Sequence, residues 1–193
     1  MVWFSYHGSH SGEFCDHAKS TLQEVIDAAI ASGFTHYGLS SIARVGGPEE
    51  LRLAYFDQVT DMVERLKLDI VAHLDLVRKY DAPGFVFSER VVRTIDRTLD
   101  AIQANGSVLD VNCAAFRNGY GPVYPLPQIL ERAQKMGIRV TLGDDSHGVQ
   151  TVGVGLDQSL SAIAAAGYRS VAYLTRIEGW REVPLETVGP HAC

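Results

Sequence analysis

Cysteine is scarce in this 193-residue chain. The three, Cys15, Cys113 and Cys193, stand far apart with no C-x-x-C pair. An odd and widely spaced set excludes a disulfide framework and fits a reducing compartment. Basic residues are outnumbered, 17 Lys and Arg against 23 acids, for a net charge of −6. With no run of Lys or Arg, a nucleic-acid partner is excluded, because such a partner leaves a basic stripe. No apolar run approaches the length of a membrane span, and the opening MVWFSY is too short for a signal peptide. The expectation is therefore a cytoplasmic, soluble protein with neither membrane nor nucleic acid as partner. Repeats, low-complexity tracts and linker-like stretches are absent too, so one domain over residues 1–193 is expected.

What is present is ordinary globular composition, 46% hydrophobic and 21% charged, in an alternating pattern. An apolar run at 2–6 precedes a loop and then a helix. Ser20 with Gln23 has capping-box spacing, and Leu22, Val25, Ile26, Ala29 and Ile30 form one face. Gly33 suits the left-handed residue that ends such a helix. THYGLS (35–40) reads as a strand. PEELRLAYFDQVTDMVERL (48–66) reads as a helix opened by Pro and two acids, with Leu51, Tyr55, Val59, Met62 and Leu66 at helical spacing. DIVAHLDLV then gives a strand with His73 at its end. Ser88 caps a helix with Val91, Val92, Ile95, Leu99 and Ile102 on its face, ending at Asn105-Gly106. VLDVN is a strand, PQILERAQKMG a helix, IRVTLGDDSH a strand and loop, LDQSLSAIAAAG a helix and RSVAYL a last strand. Strands separated by helices of this length imply parallel β-α units.

The reactive side chains fall at one kind of place. His7, His10, His73, Asn112, Asp145 and His147 all lie at or just past the C-terminal ends of predicted strands. In an α/β barrel that edge is where active sites are assembled. His7, His10 and His17 form either a solvated loop or part of a metal site. Neutral imidazoles suit zinc, iron or manganese, and Asp145 adds the oxygen donor of a hydrolytic site. His7 and His10 are separated by two residues. One more than an H-x-H pair, this spacing turns one imidazole to the opposite strand face unless a bulge absorbs it. Asp145 and His147 flank one residue and so project to the same side. His73 reads equally as a ligand or a structural residue. Cys15 is a soft ligand or a small buried residue, Asp144 a solvated or supporting acid, and His36 a structural residue. His191 lies in the tail and carries no role. Arg78 and Arg117 are either surface residues or forks for a substrate phosphate.

The stretches HSGEFCDHAKSTLQEVIDAAIASGFTHYGLS, IVAHLDLVRKY and TLGDDSH, in that order, resemble the polymerase-and-histidinol-phosphatase (PHP) family. The likeness is to its histidinol-phosphate phosphatases, over roughly residues 1–175. It implies an α/β fold, a distorted TIM-like β/α barrel of PHP type. A central segment between residues 40 and 46 is missing by comparison, so the expected barrel lacks two central strands and the ligands they carry. The resemblance implies one to three divalent ions (zinc, manganese or iron) held by His7, His10, His17, His73, Asp145 and His147. It implies Asp145 and His147 as catalytic residues, and Arg78, Arg117 and Asn112 as contacts for a small phosphorylated substrate. The implied activity is hydrolysis of L-histidinol phosphate to L-histidinol in histidine biosynthesis. The alternative is an inactive PHP-like remnant that serves as a binding or interaction protein. Self-association would cover the sheet edge that two missing strands expose.

Overall fold

The structure is a computed structural model that describes residues 4–9, 19–32, 36–39, 47–81 and 84–189, without the side chains of 4–9, 22, 36–39 and 80. The chain forms two compact units, Met1–Tyr55 and Phe56–Cys193.

In the first unit, strand β1 (Phe4–Ser9) precedes helix α1 (Leu22–Ala31), and β2 (His36–Leu39) pairs parallel with β1. Between Ser5↔Tyr37 and Ser9↔Leu39 the register shifts, so extra residues of β1 are absorbed around His7-Gly8. The shift takes up two more residues of β1 than of β2, which keeps the alternation of faces, and His10 lies outside the described residues. The capping box of α1 is one residue further on than expected. Thr21 accepts from the Glu24 amide at 3.2 Å, and Glu24 accepts from the Thr21 amide at 2.8 Å. Ser20-Gln23 and Thr21-Glu24 share the motif's spacing, and a carboxylate is the better acceptor. Gly33 and the junction at 40–46 lie outside the described residues, as do the side chains of His36 and His191.

Helix α2 (Pro48–Leu66) has the expected bounds and crosses from one unit into the other. Its buried positions are Leu53, Tyr55, Phe56 and Val63, whereas Leu51, Val59, Met62 and Leu66 are only half-buried. Apolar residues flank both sides of this stripe, so periodicity alone did not single it out.

In the second unit, β3 (Ile70–Val71) leads through a 3-10 turn to α3 (Glu89–Asn105). Ser88 caps α3 by accepting from the Val91 amide at 3.3 Å, and Gly106 ends it at φ 76°. Val91, Ile95, Leu99 and Ile102 are buried along one face, each contributing roughly 1.5–3 kcal/mol. The hydroxyls of Thr60 and Thr98 meet at 2.9 Å and tie α2 to α3. Next come β4 (Val108–Asn112), the short α4 (Ala114–Arg117), α5 (Pro127–Lys135), β5 (Val140–Gly143) and α6 (Leu156–Ala165). Strands β3, β4 and β5 form one parallel sheet in that order, with Asn112 opposite Gly143. Every residue of β4 is buried, with α6 against β4 and β5. The sheet's parallel strands and covering helix are the expected β-α architecture.

The last strand expected from the sequence, β6 (Ser170–Thr175), has an antiparallel partner, β7 (Gly179–Pro184). β7 escaped notice because it is largely exposed and charged, which weakens its two-residue period. Among the described residues the strands form three separate sheets of two, three and two strands, so a closed barrel is not present in them. No helix of the described residues is long and apolar enough to cross a membrane.

Candidate functional site

Three chain segments leave the parallel sheet at its C-terminal edge, the customary position of α/β sites. Past β3 stands His73, half-buried, at φ 54°. Past β5 stands Asp145, at φ 51°. Of the described non-glycine residues only these two and Lys67 have positive φ. Holding side chains in the left-handed region costs about 1–2 kcal/mol each, and such strain clusters at functional sites.

The β3 exit is secured by Asp75 and Arg78, both buried. Arg78 donates from Nε to Asp75 Oδ2 at 2.7 Å, from Nη1 to the Tyr120 carbonyl at 2.6 Å, and from Nη2 to the Val123 carbonyl. Asp75 Oδ2 also accepts from the Leu126 amide at 2.9 Å. Burial raises the Asp75 pKa while the Arg78 charge opposes it. Three of the five guanidinium hydrogens are engaged in these bonds, which bind the loop 120–126 to the β3 exit. Gly121 permits the approach: a Cβ there, at φ 132°, would lie 3.1 Å from Arg78 Nη1.

At the β4 exit, Asn112 accepts from the Ala114 amide at 2.9 Å and so starts α4, while its Nδ2 donates to Asp110 at 3.1 Å. Both ends of this amide are engaged within the protein. Asp110, 5% exposed, is a site residue that the sequence reading overlooked. Burial pushes its pKa to about 7, the Asn112 bond opposing and the Asp145 charge adding to the rise. The available signal was a carboxylate inside the otherwise apolar strand VLDVN.

At the β5 exit, Asp144 accepts from Ser146 Oγ, from the Gly153 amide at 2.9 Å and from Arg117 Nη1 at 3.1 Å. The Ser146 bond, then the Gly153 bond, hold its pKa below the usual carboxylate value, and Arg117 adds to this. Arg117 Nη2 donates to the Asp145 carbonyl at 2.7 Å. Asp144 is thus a support for Arg117, not a freely solvated acid. Asp145 Oδ1 and His147 Nδ1 lie 3.9 Å apart, on the same side as the spacing implies. His147 Nδ1 is 3.0 Å from the Asp145 carbonyl. A carbonyl only accepts, so the bond forms when Nδ1 carries a proton, on a side chain that is 82% exposed.

The structure therefore brings His73, Asn112, Arg78, Arg117, Asp145 and His147 to one sheet edge. His7 lies in β1 without a described side chain, and His10, His17 and Cys15 lie outside the described residues. Imidazole and carboxylate at this edge are the donor chemistry of a zinc, manganese or iron site. Among the described residues, no three His, Cys, Asp or Glu side chains already converge at metal-binding spacing.

In fold, the chain is similar to a solved α/β phosphatase. The TM-score is 0.61, over 78% of this chain and 63% of the other, at 19% identity. That structure is a histidinol phosphate phosphatase (HISK) from Lactococcus lactis, in complex with zinc, L-histidinol and phosphate. In sequence, the chain is 31% identical over 133 residues to a probable histidinol-phosphatase of Schizosaccharomyces pombe, covering 67% of this chain and 44% of that protein. It is also 31% identical over 108 residues to a probable histidinol-phosphatase of Deinococcus radiodurans, covering 56% of this chain and 40% of that one. The chain thus spans less than half the length of these two relatives. No family model matches it.

Proposed function

We propose that this chain is a histidinol-phosphatase-like, PHP-type hydrolase of small phosphate monoesters, with L-histidinol phosphate of histidine biosynthesis as substrate and the cytoplasm as its place. The observation that carries the reading is the β5 exit. There Asp145, at φ 51°, stands beside an exposed His147 whose Nδ1 lies 3.0 Å from the Asp145 carbonyl, and Arg117 donates to that same carbonyl at 2.7 Å. The similarity to proteins named as histidinol-phosphatases supports it.

In this reading His73, Asp145 and His147 hold divalent metal, and His7, His10 and His17 are ligands as well. When bound, the metal lowers the pKa of a coordinated water and offsets charge on the phosphate. The chain's own residues do the rest. Arg78 and Arg117 each retain N–H groups beyond their described bonds, and these receive phosphate oxygens. Asn112 holds the turn into α4 and so fixes Arg117, in the last position of that helix. Asp145 or His147 relays a proton to the departing alkoxide of the alcohol.

The test is zinc content together with hydrolysis of histidinol phosphate by the purified chain. Wild type should bind metal and release phosphate, and His73→Ala or Asp145→Ala should lower kcat/KM by about 10²–10³-fold or more in folded protein. Turnover near wild type in both variants refutes the assignment. A folded wild type with neither metal nor turnover supports the binding remnant instead.

A further inference from the structure

Tyr124 stands where the β4 exit, the β3 exit and the Arg78 loop meet. Its backbone is pinned to the end of β4 by two hydrogen bonds, Asn112 amide to Tyr124 carbonyl at 2.7 Å and Tyr124 amide to Asn112 carbonyl at 3.0 Å. Its ring meets His73 edge-on, with centroids 6.4 Å apart, and the Arg78 guanidinium lies 4.4 Å from its centroid. The residue is 2% exposed, yet its hydroxyl is buried without a hydrogen-bond partner among the described residues. Of the neighbouring polar groups, the Arg78 nitrogens, Asp75 Oδ2 and both ends of the Asn112 amide are engaged, while Asp75 Oδ1 is buried and unpartnered as well.

A buried hydroxyl without a partner is destabilising, and native proteins leave few. Packing against His73 and Arg78 needs only the ring, which phenylalanine would provide without that cost. Among the described residues nothing completes the hydroxyl, which leaves it available to a bound ligand. A phenol is protonated at neutral pH, so the group is a donor. Its missing partner is an acceptor, and the guanidinium alongside favours an anionic one.

We propose that the Tyr124 hydroxyl is a ligand-contacting group of this edge, donating a hydrogen bond to a phosphate oxygen of the bound ligand. The inference rests on the phosphatase reading above and adds a contact to it. Tyr124→Phe keeps the ring and removes only the hydroxyl, which makes it the decisive variant. Thermal unfolding and calorimetric titration of the zinc-loaded chain with inorganic phosphate supply readouts independent of turnover.

Without phosphate, Tyr124→Phe should unfold at the wild-type temperature or above, because the lost hydroxyl had no partner. Its affinity for phosphate should fall roughly 10- to 100-fold, the usual range for a hydrogen bond to a charged group, with zinc content unchanged. A variant that is less stable without ligand shows an internal partner for the hydroxyl and overturns the proposal. So does a variant that binds phosphate within about twofold of wild type, and in that case the phosphatase reading stands. If wild type itself binds no phosphate, the phosphatase reading fails and the Tyr124 contact fails with it.

Discussion

Asp110 concentrates the electrostatics of the edge in one side chain. It is buried inside β4, takes one hydrogen bond from Asn112, and has its pKa raised to about 7. In the unfolded chain the same carboxyl titrates near the ordinary value of about 3.9. Between those two values the folded protein binds a proton that the unfolded chain does not. Stability from this group is therefore present at low pH and declines as pH rises from about 4 to about 7, then levels off. Asp110→Asn removes that dependence while preserving size. With chelator present, the unfolding temperature of the Asn variant relative to wild type should be higher at pH 8 than at pH 5. A difference that stays constant across this range would show that Asp110 is already ionised in the folded protein. The residue illustrates a limit of reading a site from sequence. His73, Asp145 and His147 stood out because each lies just past a strand. Asp110 and Tyr124 lie within largely apolar stretches of sequence, where a polar residue's partners depend on tertiary packing.

At the scale of elements, β4 and β5 are fitted to one another through a glycine. A Cβ on Gly143 would lie 1.9 Å from Asp110 Oδ1, an impossible approach unless the carboxylate or the strand moves. Gly143→Ala should therefore destabilise by about 1–3 kcal/mol through overpacking, read as a fall in unfolding temperature. Combining it with Asp110→Ala, which vacates the space, should recover part of that loss; a strictly additive double mutant would show that the close approach is not the cause. Elements with strong local signals were legible in the sequence. Helix α2 has the expected ends, and α3 has both the expected Ser88 cap and the Gly106 terminator. These signals reside in a few neighbouring residues, so no tertiary information is needed to read them. The buried stripe of α2 and the pairing of β7 depend on what packs against them, and the expected PHP-type barrel depends on contacts far apart in sequence. The register shift in β1 is an intermediate case. The His7/His10 spacing raises the question of a bulge; the β1–β2 register shifts between Ser5 and Ser9, while His10 lies outside the described residues.

At the scale of the whole molecule, metal binding and folding are one linked equilibrium. A ligand that binds only the folded state stabilises it by RT ln(1 + [L]/Kd), about 2.7 kcal/mol at a hundredfold excess over Kd. For a chain of this size each kcal/mol raises the unfolding temperature by about 2–4 °C, so saturating zinc should raise it by about 5–10 °C and chelator should reverse the rise. Asp145→Ala should lose most of that zinc-dependent shift, because the lost carboxylate is a proposed ligand. Tyr124→Phe should keep the shift, because its hydroxyl is assigned to phosphate and not to metal. Comparing the two variants, each checked for a cooperative unfolding transition, separates metal binding from anion binding. The assignment of Asp145 fails if its alanine variant shows the full zinc-dependent shift, and the metal reading as a whole fails if wild type shows none.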